Sequence, residues 1–598
     1  MDHARTSGWF RAIAVDYDGT LTADGSPRHD VLELLAQWRH NGGRVLLVTG
    51  RILDELLQVF PDVGNNVDLV VAENGAVLWD GKRSRLLAPP VPRSLSDALK
   101  ARGVAHRRGA AILATHSTFV LSIEAAIDDL GLDVQLVANR AELMVLPAGI
   151  SKGTGVRAGL RALGMSAHSA VGVGDGENDQ ALLRACELGV AVANAVPSLR
   201  HEADITTHAP DVAGVIELLE GPFVRGAARA RSTRWHVELG FDEHGVPVTI
   251  PASQIDVLVC GRSGGGKSYI AGLIAEQLIE LDYSLLVVDP EGDHTALTEL
   301  PGVVVVGSDG STPSVEHIVA LVQQHLGTVV VDLSLQSDEA QRDFYRRAPA
   351  AVELLRAARG VPHWMLLDEA HTSLLSEGAV RSLFDTNRKG HLLVTFEPAA
   401  LPESVVDQID VAIIVPGADS VEAILRSFGC DAARFDAVAQ QASGREAIVM
   451  RRTDDGTPPA LKRVQTLVRR TGHVRHWHKY TAGLLPESRR FYFRNANDDT
   501  VGEPAANIAE FHRELCRCSP DVLAHHALGR DFSRWIGLAL GDAQTAEAVE
   551  AIEARIGEMH GGHDRVAIES ERGAILAALE RHYVGEDLRP CPTETSAT

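Results

Sequence analysis

Ala12-Ile13-Ala14-Val15-Asp16-Tyr17-Asp18-Gly19-Thr20 is an apolar run that breaks into two carboxylates, a glycine and a threonine. A run that is apolar throughout, rather than alternating, suits a parallel strand covered on both faces. Similar runs recur at Arg44–Val48, Leu69–Ala72, Ala170–Val173 and Gly189–Ala191, with helical patterns between them such as Leu53, Leu56, Leu57 and Phe60. Strands and helices in alternation imply a doubly wound α/β sheet. Residues 84–148 interrupt the series and read as a small inserted α/β lobe.

In such a sheet, ligands sit beyond the carboxyl ends of the strands. Four polar clusters fall there: Asp16 and Asp18; Thr49, Gly50 and Arg51; Lys152; and Asp175, Asn178 and Asp179. Packed carboxylates repel one another and need a cation, and an all-oxygen donor set suits Mg2+. The metal would hold a phosphate beside a carboxylate nucleophile, whose attack on phosphorus gives an acyl-phosphate that water hydrolyses. Asp18 is spaced to protonate the leaving oxygen and then to activate that water. Thr49 and Lys152 bring a hydroxyl and an ammonium to the phosphoryl oxygens.

These residues resemble the haloacid dehalogenase (HAD) phosphatases. The four motifs stand in order as Asp16-x-Asp18-Gly19-Thr20, Thr49, Lys152 and Gly174-Asp175-Gly176-Glu177-Asn178-Asp179. Glu73-Asn74-Gly75-Ala76, and a cap between the Thr49 and Lys152 motifs, resemble the Cof-type or IIB branch. The resemblance implies a Rossmann-like core with Asp16 as nucleophile and Asp18 as general acid and base. It implies Mg2+ held by Asp16, Asp175, Asp179 and the main chain of Asp18. It places Thr49, Gly50, Lys152 and Asn178 on the phosphate of a small phosphorylated substrate such as a sugar phosphate.

A second signature follows the apolar run Val257-Leu258-Val259-Cys260: Gly261-Arg262-Ser263-Gly264-Gly265-Gly266-Lys267-Ser268. Gly261, Gly264, Gly265 and Gly266 let backbone N–H groups turn toward phosphates, Lys267 reaches the β- and γ-phosphates, and Ser268 ligates Mg2+. The helix that starts there presents its positive end to the anion. Further strands are expected at Ser284–Val288, Val303–Val306, Thr328–Val331, Trp364–Leu367, Leu392–Thr395 and Val411–Val415. Asp368, at the end of one of them, reads as an outer ligand of the nucleotide's Mg2+, and Glu369 as the group that polarises the attacking water.

Residues 250–455 resemble HerA/FtsK-type P-loop ATPases, also through Asp289-Pro290-Glu291-Gly292-Asp293 and Asn387-Arg388-Lys389-Gly390-His391. That resemblance implies ATP as cofactor, a homo-oligomer built through this region, and Arg388 as a finger into a neighbouring subunit's nucleotide. The chain departs from the family at Thr395-Phe396, where Thr-Gln is usual.

The expected organisation is therefore multidomain α/β. The HAD core takes 1–83 and 149–221, the cap 84–148, a linker with a short β segment 222–250, and the ATPase domain 251–470. A mostly helical accessory domain follows at 471–588, where Arg490–Phe493 reads as a short strand, and a disordered tail at 589–598. The 598 residues suffice for several cores. A net charge of −23 argues against a general nucleic-acid or anionic-membrane binder and leaves a local basic channel open. Six scattered cysteines without a Cys-x-x-Cys pair suit reduced thiols in a cytoplasmic protein. No apolar stretch is long enough to span a membrane. Two alternative functions fit the same motifs: a HerA-like nucleic-acid motor or defence ATPase with a nucleotide phosphatase module, and a bifunctional kinase–phosphatase.

Overall fold

The structure is a computed structural model; it describes residues 8–582 except 24, 140, 263–264, 312, 326, 374–382, 385–387, 419, 443, 454–456, 458, 472–489, 541 and 559–564. Gly264 and the expected tail at 589–598 lie outside the described residues.

β1 (Ala12–Asp16), all five residues buried, sits inside an eight-stranded sheet. β2 (Arg44–Val48), β3 (Leu69–Ala72), β4 (Val77–Trp79) and β5 (Ser84–Leu86) extend it on one side. A separate antiparallel sheet then forms the cap from β6 (His106–Arg108), β7 (Leu113–His116), β8 (Val134–Asn139) and β9 (Glu142–Pro147), in the order β6-β7-β9-β8. The chain returns to the first sheet on the other side of β1 with β10 (Ala170–Gly174), β11 (Leu188–Ala191) and β12 (Ile205–Thr206). β1 pairs in parallel with both β2 and β10, so strand order reverses there and opens a crevice at the carboxyl ends. Ser84–Leu86, expected in the cap, pairs with β4 and ends the core sheet instead. One buried carboxylate ties the cap down: Glu73, at φ 53, accepts the N–H groups of Ala110, Ala111 and Ile112.

The second sheet has eleven strands: β13 (His236–Asp242), β14 (Pro247–Pro251), β15 (Asp256–Cys260), β16 (Leu285–Asp289), β17 (Val303–Val306), β18 (Thr328–Asp332), β19 (Trp364–Leu367), β20 (His391–Thr395), β21 (Val411–Ile414), β22 (Glu446–Arg451) and β23 (Leu461–Thr466). Their order is β14-β13-β23-β22-β21-β15-β20-β19-β16-β18-β17, and the seven strands from β21 to β17 run parallel. The β13–β14 hairpin, expected in a linker, pairs with β23 and forms the antiparallel edge of this sheet. Beyond it, five helices between Ile508 and His582 enclose an aromatic core of Phe491, Phe493, Phe511, Phe532 and Trp535. The strand expected at Arg490–Phe493 reduces to isolated bridges, Phe491 with Ala505 and Arg494 with Thr500. Cys186, Cys260, Cys430 and Cys518 are free thiols.

The two sheets meet back to back. Trp9, Arg11, His168, Ser169 and Glu187 stand just before β1, β10 or β11, and Leu281, Tyr283 and His363 just before β16 or β19. His168 stacks on Tyr283 at 3.8 Å, and its ring nitrogens lie 2.7 Å from Glu187 Oε2 and 2.8 Å from Leu281 O. Tyr283 donates to the same Glu187 oxygen at 2.8 Å, and Arg11 Nε donates to Ala357 O at 2.9 Å. The joint therefore occupies the amino edges of both parallel sets. The motifs read for phosphate chemistry follow the carboxyl edges, so they face away from each other.

Candidate active sites

The first cluster assembles at the crevice beside β1. Asp16 ends β1, and Asp175 and Asp179 follow β10. All three are buried, and one carboxylate oxygen from each lies within 4.8 Å of the others. Lys152, the first residue of the helix Lys152–Ala162, is 2% exposed and donates to Asp16 Oδ1 and Asp179 Oδ1, both at 2.6 Å. The other Asp179 oxygen accepts the N–H groups of Asp175 and Gly176 at 3.0 and 2.9 Å. Burial, then the charge of Asp179, pushes the Asp16 carboxyl well above its ordinary range, while Lys152 draws it back. Burial alone would lower the Lys152 ammonium, but Asp16 and Asp179 raise it. Three oxygen donors around one point, with excess negative charge, fit a hard divalent cation.

Thr49 is buried, and its Oγ1 accepts the Arg51 N–H at 3.0 Å. Gly50 lies under the cap: a Cβ there would meet Met144 Sδ at 3.4 Å and Asn178 Nδ2 at 3.6 Å. Asp18 is half-exposed and gripped by Arg51, with Nη2 on Oδ1 at 2.6 Å and Nε on Oδ2 at 2.8 Å. Asn178, expected on the phosphate, gives its Nδ2 to Asn74 Oδ1 at 3.0 Å and leaves its own oxygen without a donor. The Arg51 grip and the Glu73 tether went unassigned in the sequence, although Arg51 adjoins Thr49 and Glu73 opens a recognised tetrapeptide.

The second cluster follows β15. Gly261 at φ 155 and Gly266 at φ 100 adopt conformations that favour glycine, and Gly265 lies between Gly266 and the loop's start. Lys267 and Ser268 open the helix Lys267–Glu280. Lys267 Nζ donates to Arg262 O at 3.2 Å and stands 5.8 Å from the Phe396 ring, the residue at which the chain departs from its look-alikes. Burial lowers the Lys267 ammonium against the pull of Glu369 and Asp368. A glycine-lined turn ahead of a helix, with a buried lysine, fits a phosphate chain.

Asp368, just after β19, meets the buried His294, Nε2 to Oδ2, at 3.0 Å. Asp289 anchors that histidine's loop by accepting the N–H groups of Gly292, Asp293 and His294. Burial, then Asp368, pushes the Glu369 carboxyl up to about 8.

Arg388 is placed elsewhere. It precedes β20 at the amino edge, while Lys267 follows β15 at the carboxyl edge, and the register Asp256↔His391 to Cys260↔Thr395 sets the two a strand apart. Arg388 is 7% exposed, and its Nη1 pairs with Glu353 Oε2 at 2.7 Å. Its charge helps to lower the Arg11 guanidinium to about 9, after burial, the larger cause. In this structure Arg388 is buried under the joint and paired with Glu353, away from the Lys267 loop.

A profile of haloacid dehalogenase-like hydrolases matches residues 13–98 and 134–219. A phosphoglycolate phosphatase of Methanothermobacter thermautotrophicus is 32% identical over 217 residues, covering 35% of this chain and 96% of that protein. The chain belongs to the haloacid dehalogenase-like hydrolases. A phosphoglycolate phosphatase of Halorubrum lacusprofundi is 33% identical over 205 residues, 32% of this HAD chain and 88% of that protein. Phosphoglycolate phosphatase 2 of Saccharolobus solfataricus is 41% identical over 86 residues, 14% of this chain and 36% of that protein. A solved haloacid dehalogenase-like hydrolase of B. subtilis shares 20% identity, covering 35% of this chain and 99% of that one, at a TM-score of 0.31. A profile described as the helicase HerA central domain matches residues 237–357, so the HAD module is fused to a HerA-like P-loop domain. Among the described residues, no helix is long and apolar enough to cross a membrane.

Proposed function

We propose that the chain is a Mg2+-dependent phosphomonoester hydrolase that works through an aspartyl-phosphate on Asp16, joined to a module that binds and hydrolyses ATP. Its substrate is a small phosphorylated metabolite, as the names of its relatives also suggest. The observation that carries the reading is the convergence of Asp16, Asp175, Asp179 and Lys152 at one buried point. Mg2+ bound by the three aspartates and the Asp18 main chain would offset the charge of the phosphate and of the carboxylates around it.

Asp16 attacks phosphorus, and the bond from phosphorus to the leaving oxygen breaks as Asp18 hands that oxygen a proton. Asp18 then takes a proton from a water that attacks the aspartyl-phosphate, freeing phosphate and Asp16. Lys152 and Thr49 steady the non-bridging oxygens. Arg51 has to release Asp18 before Asp18 reaches the leaving oxygen, because the guanidinium engages both of its carboxylate oxygens.

Lys267 and the Gly261–Ser268 turn would hold the ATP phosphates, with Ser268 and Asp368 toward its Mg2+ and Glu369 toward the attacking water. Assembly of copies through this module belongs to the same proposal and is read from particle size with and without ATP. The back-to-back joint favours separate substrates over a kinase–phosphatase relay. Strands of five residues rise ~3.3 Å per residue, so two sheets in series part the sites by about 30 Å or more. Asp16→Asn should abolish turnover across a panel of phosphomonoesters while ATP binding survives; a variant with full turnover would sink the assignment.

A further inference from the structure

The strand order β15-β20-β19 places the end of β20 between the Lys267 loop and the Asp368-Glu369 pair. Thr395, fully buried, is the last residue of β20 and pairs in register with Cys260, which precedes that loop. The next residue is Phe396, and an apolar ring offers a phosphate oxygen no hydrogen bond. Its ring packs instead against the imidazole of His371, with centroids 4.7 Å apart and planes at 72°.

His371 lies on the short helix Ala370–Ser373 that follows β19, with its side chain 15% exposed. Its Nδ1 stands 3.1 Å from Thr395 Oγ1 and 3.3 Å from Glu369 Oε2. Thr395 Oγ1 also accepts the Glu397 N–H at 2.9 Å, whereas Glu369 Oε2 is buried and accepts no hydrogen bond among the described residues. A ring nitrogen carries one proton or one lone pair, so it serves one of two such neighbours well at a time. Here it serves Thr395, and Glu369 is the neighbour left over. A buried acceptor in that state costs free energy. Glu369 is also held at φ 49, where a residue with a Cβ is strained. Strain and a missing donor fall together on the carboxylate read as polarising water.

We propose that His371 is a positioning residue of the ATPase, which links Glu369 to Thr395 and so reports a nucleotide's terminal phosphate to the carboxylate that polarises water. The inference rests on the ATPase reading and deepens it. Before a phosphate arrives, His371 Nδ1 stays with Thr395. A terminal phosphate oxygen then takes the Thr395 hydroxyl as its donor. The Nδ1 proton of His371 turns to Glu369 Oε2, and the carboxylate is held toward its water. Both neighbours already stand within 3.3 Å of Nδ1, so a small turn of the ring suffices. Phe396 is the wall against which that ring turns, and its own ring stands 5.8 Å from Lys267 Nζ.

The test measures Mg2+-ATP hydrolysis by the full-length wild type, His371→Ala, His371→Asn and Phe396→Gln, with Lys267→Ala as the blank. His371→Ala should lower kcat roughly tenfold, the size of one hydrogen bond. Its KM for ATP should stay within about twofold, because the contact acts in the transition state and not on binding. His371→Asn keeps an amide N–H close to the place of Nδ1 and should return kcat to within about threefold of wild type. Phe396→Gln should lower kcat, since the imidazole loses its wall. The melting temperature should be unchanged in every variant, which shows that each folds. An equal loss of kcat in the Ala and Asn variants, or a loss confined to KM, overturns the assignment, as either marks a role in packing or in holding the nucleotide. Phe396→Gln turning over faster than wild type overturns it as well, since the phosphate contact then belongs to residue 396. A wild type no faster than Lys267→Ala overturns the ATPase reading itself, and the inference falls with it.

Discussion

The two phosphate clusters differ in how completely they are paired before any ligand arrives. At the HAD centre, Lys152 bridges Asp16 and Asp179, and backbone N–H groups complete Asp179. At the P-loop centre, Lys267 rests on its own loop, and Glu369 Oε2 accepts no hydrogen bond, with His371 Nδ1 3.3 Å away. A buried polar network is stable when satisfied and costly when half satisfied. The first centre is therefore assembled in advance, and the second gains partners from its nucleotide. Between them lies a third polar cluster, the joint around His168, Glu187, Tyr283 and His363, which holds the two backs together.

The sharpest way to break this comparison is to disable one centre and read the other. Lys267→Ala should weaken nucleotide binding roughly a hundredfold or more, as expected for losing a buried cation. Phosphatase turnover should stay within about twofold, and a matching fall there would show that the two centres act as one.

Arg388→Met comes next. Removing one partner of a buried ion pair costs about 3–5 kcal/mol, so the melting temperature should fall while ATP binding per folded molecule is kept. Loss of ATPase activity at an unchanged melting temperature would restore the finger.

Tyr283→Phe removes the hydroxyl on buried Glu187 at a cost of about 1–3 kcal/mol. It should split one urea transition into two, seen by circular dichroism, if the joint couples the modules.

The smallest effect is one of pH. Burial, then the neighbouring His168 and Arg356, holds the His363 imidazole well below its usual 6.5. Its folded state binds fewer protons than its unfolded state, so its contribution is present above pH 6.5 and is lost as pH falls below that value. His363→Asn should flatten the acid side of the stability profile; an unchanged profile would place the sensitivity elsewhere.

Much of the HAD fold was legible because the apolar runs at β1, β2, β3, β10 and β11 are short, unbroken and bounded by polar turns. Register and pairing follow from burial on both faces, which leaves such a strand few alternatives. The β22–β23 pair was missed: Leu461-Lys462-Arg463-Val464-Gln465-Thr466 carries two basic residues and is only half covered, as an antiparallel strand with one face toward solvent is. The β segment expected within 222–250 gave no sign of the sheet it joins, since its partner β23 lies more than two hundred residues away in sequence. The Asp16, Asp175, Asp179 and Lys152 convergence was legible from strand ends alone. The Arg51 grip on Asp18 and the Glu73 tether were not. Each depends on where the cap or a neighbouring loop settles, and no local spacing encodes that.

By itself, the sequence determined the residue types at the strand ends, and with them the reaction class, because strand polarity and the site at the carboxyl edge are local consequences of an α/β chain. Only the tertiary structure decided which edges face one another and what became of Arg388. Contacts such as Arg11 to Ala357 join residues 346 apart in the chain. Long-range burial selects them, and no periodicity records it.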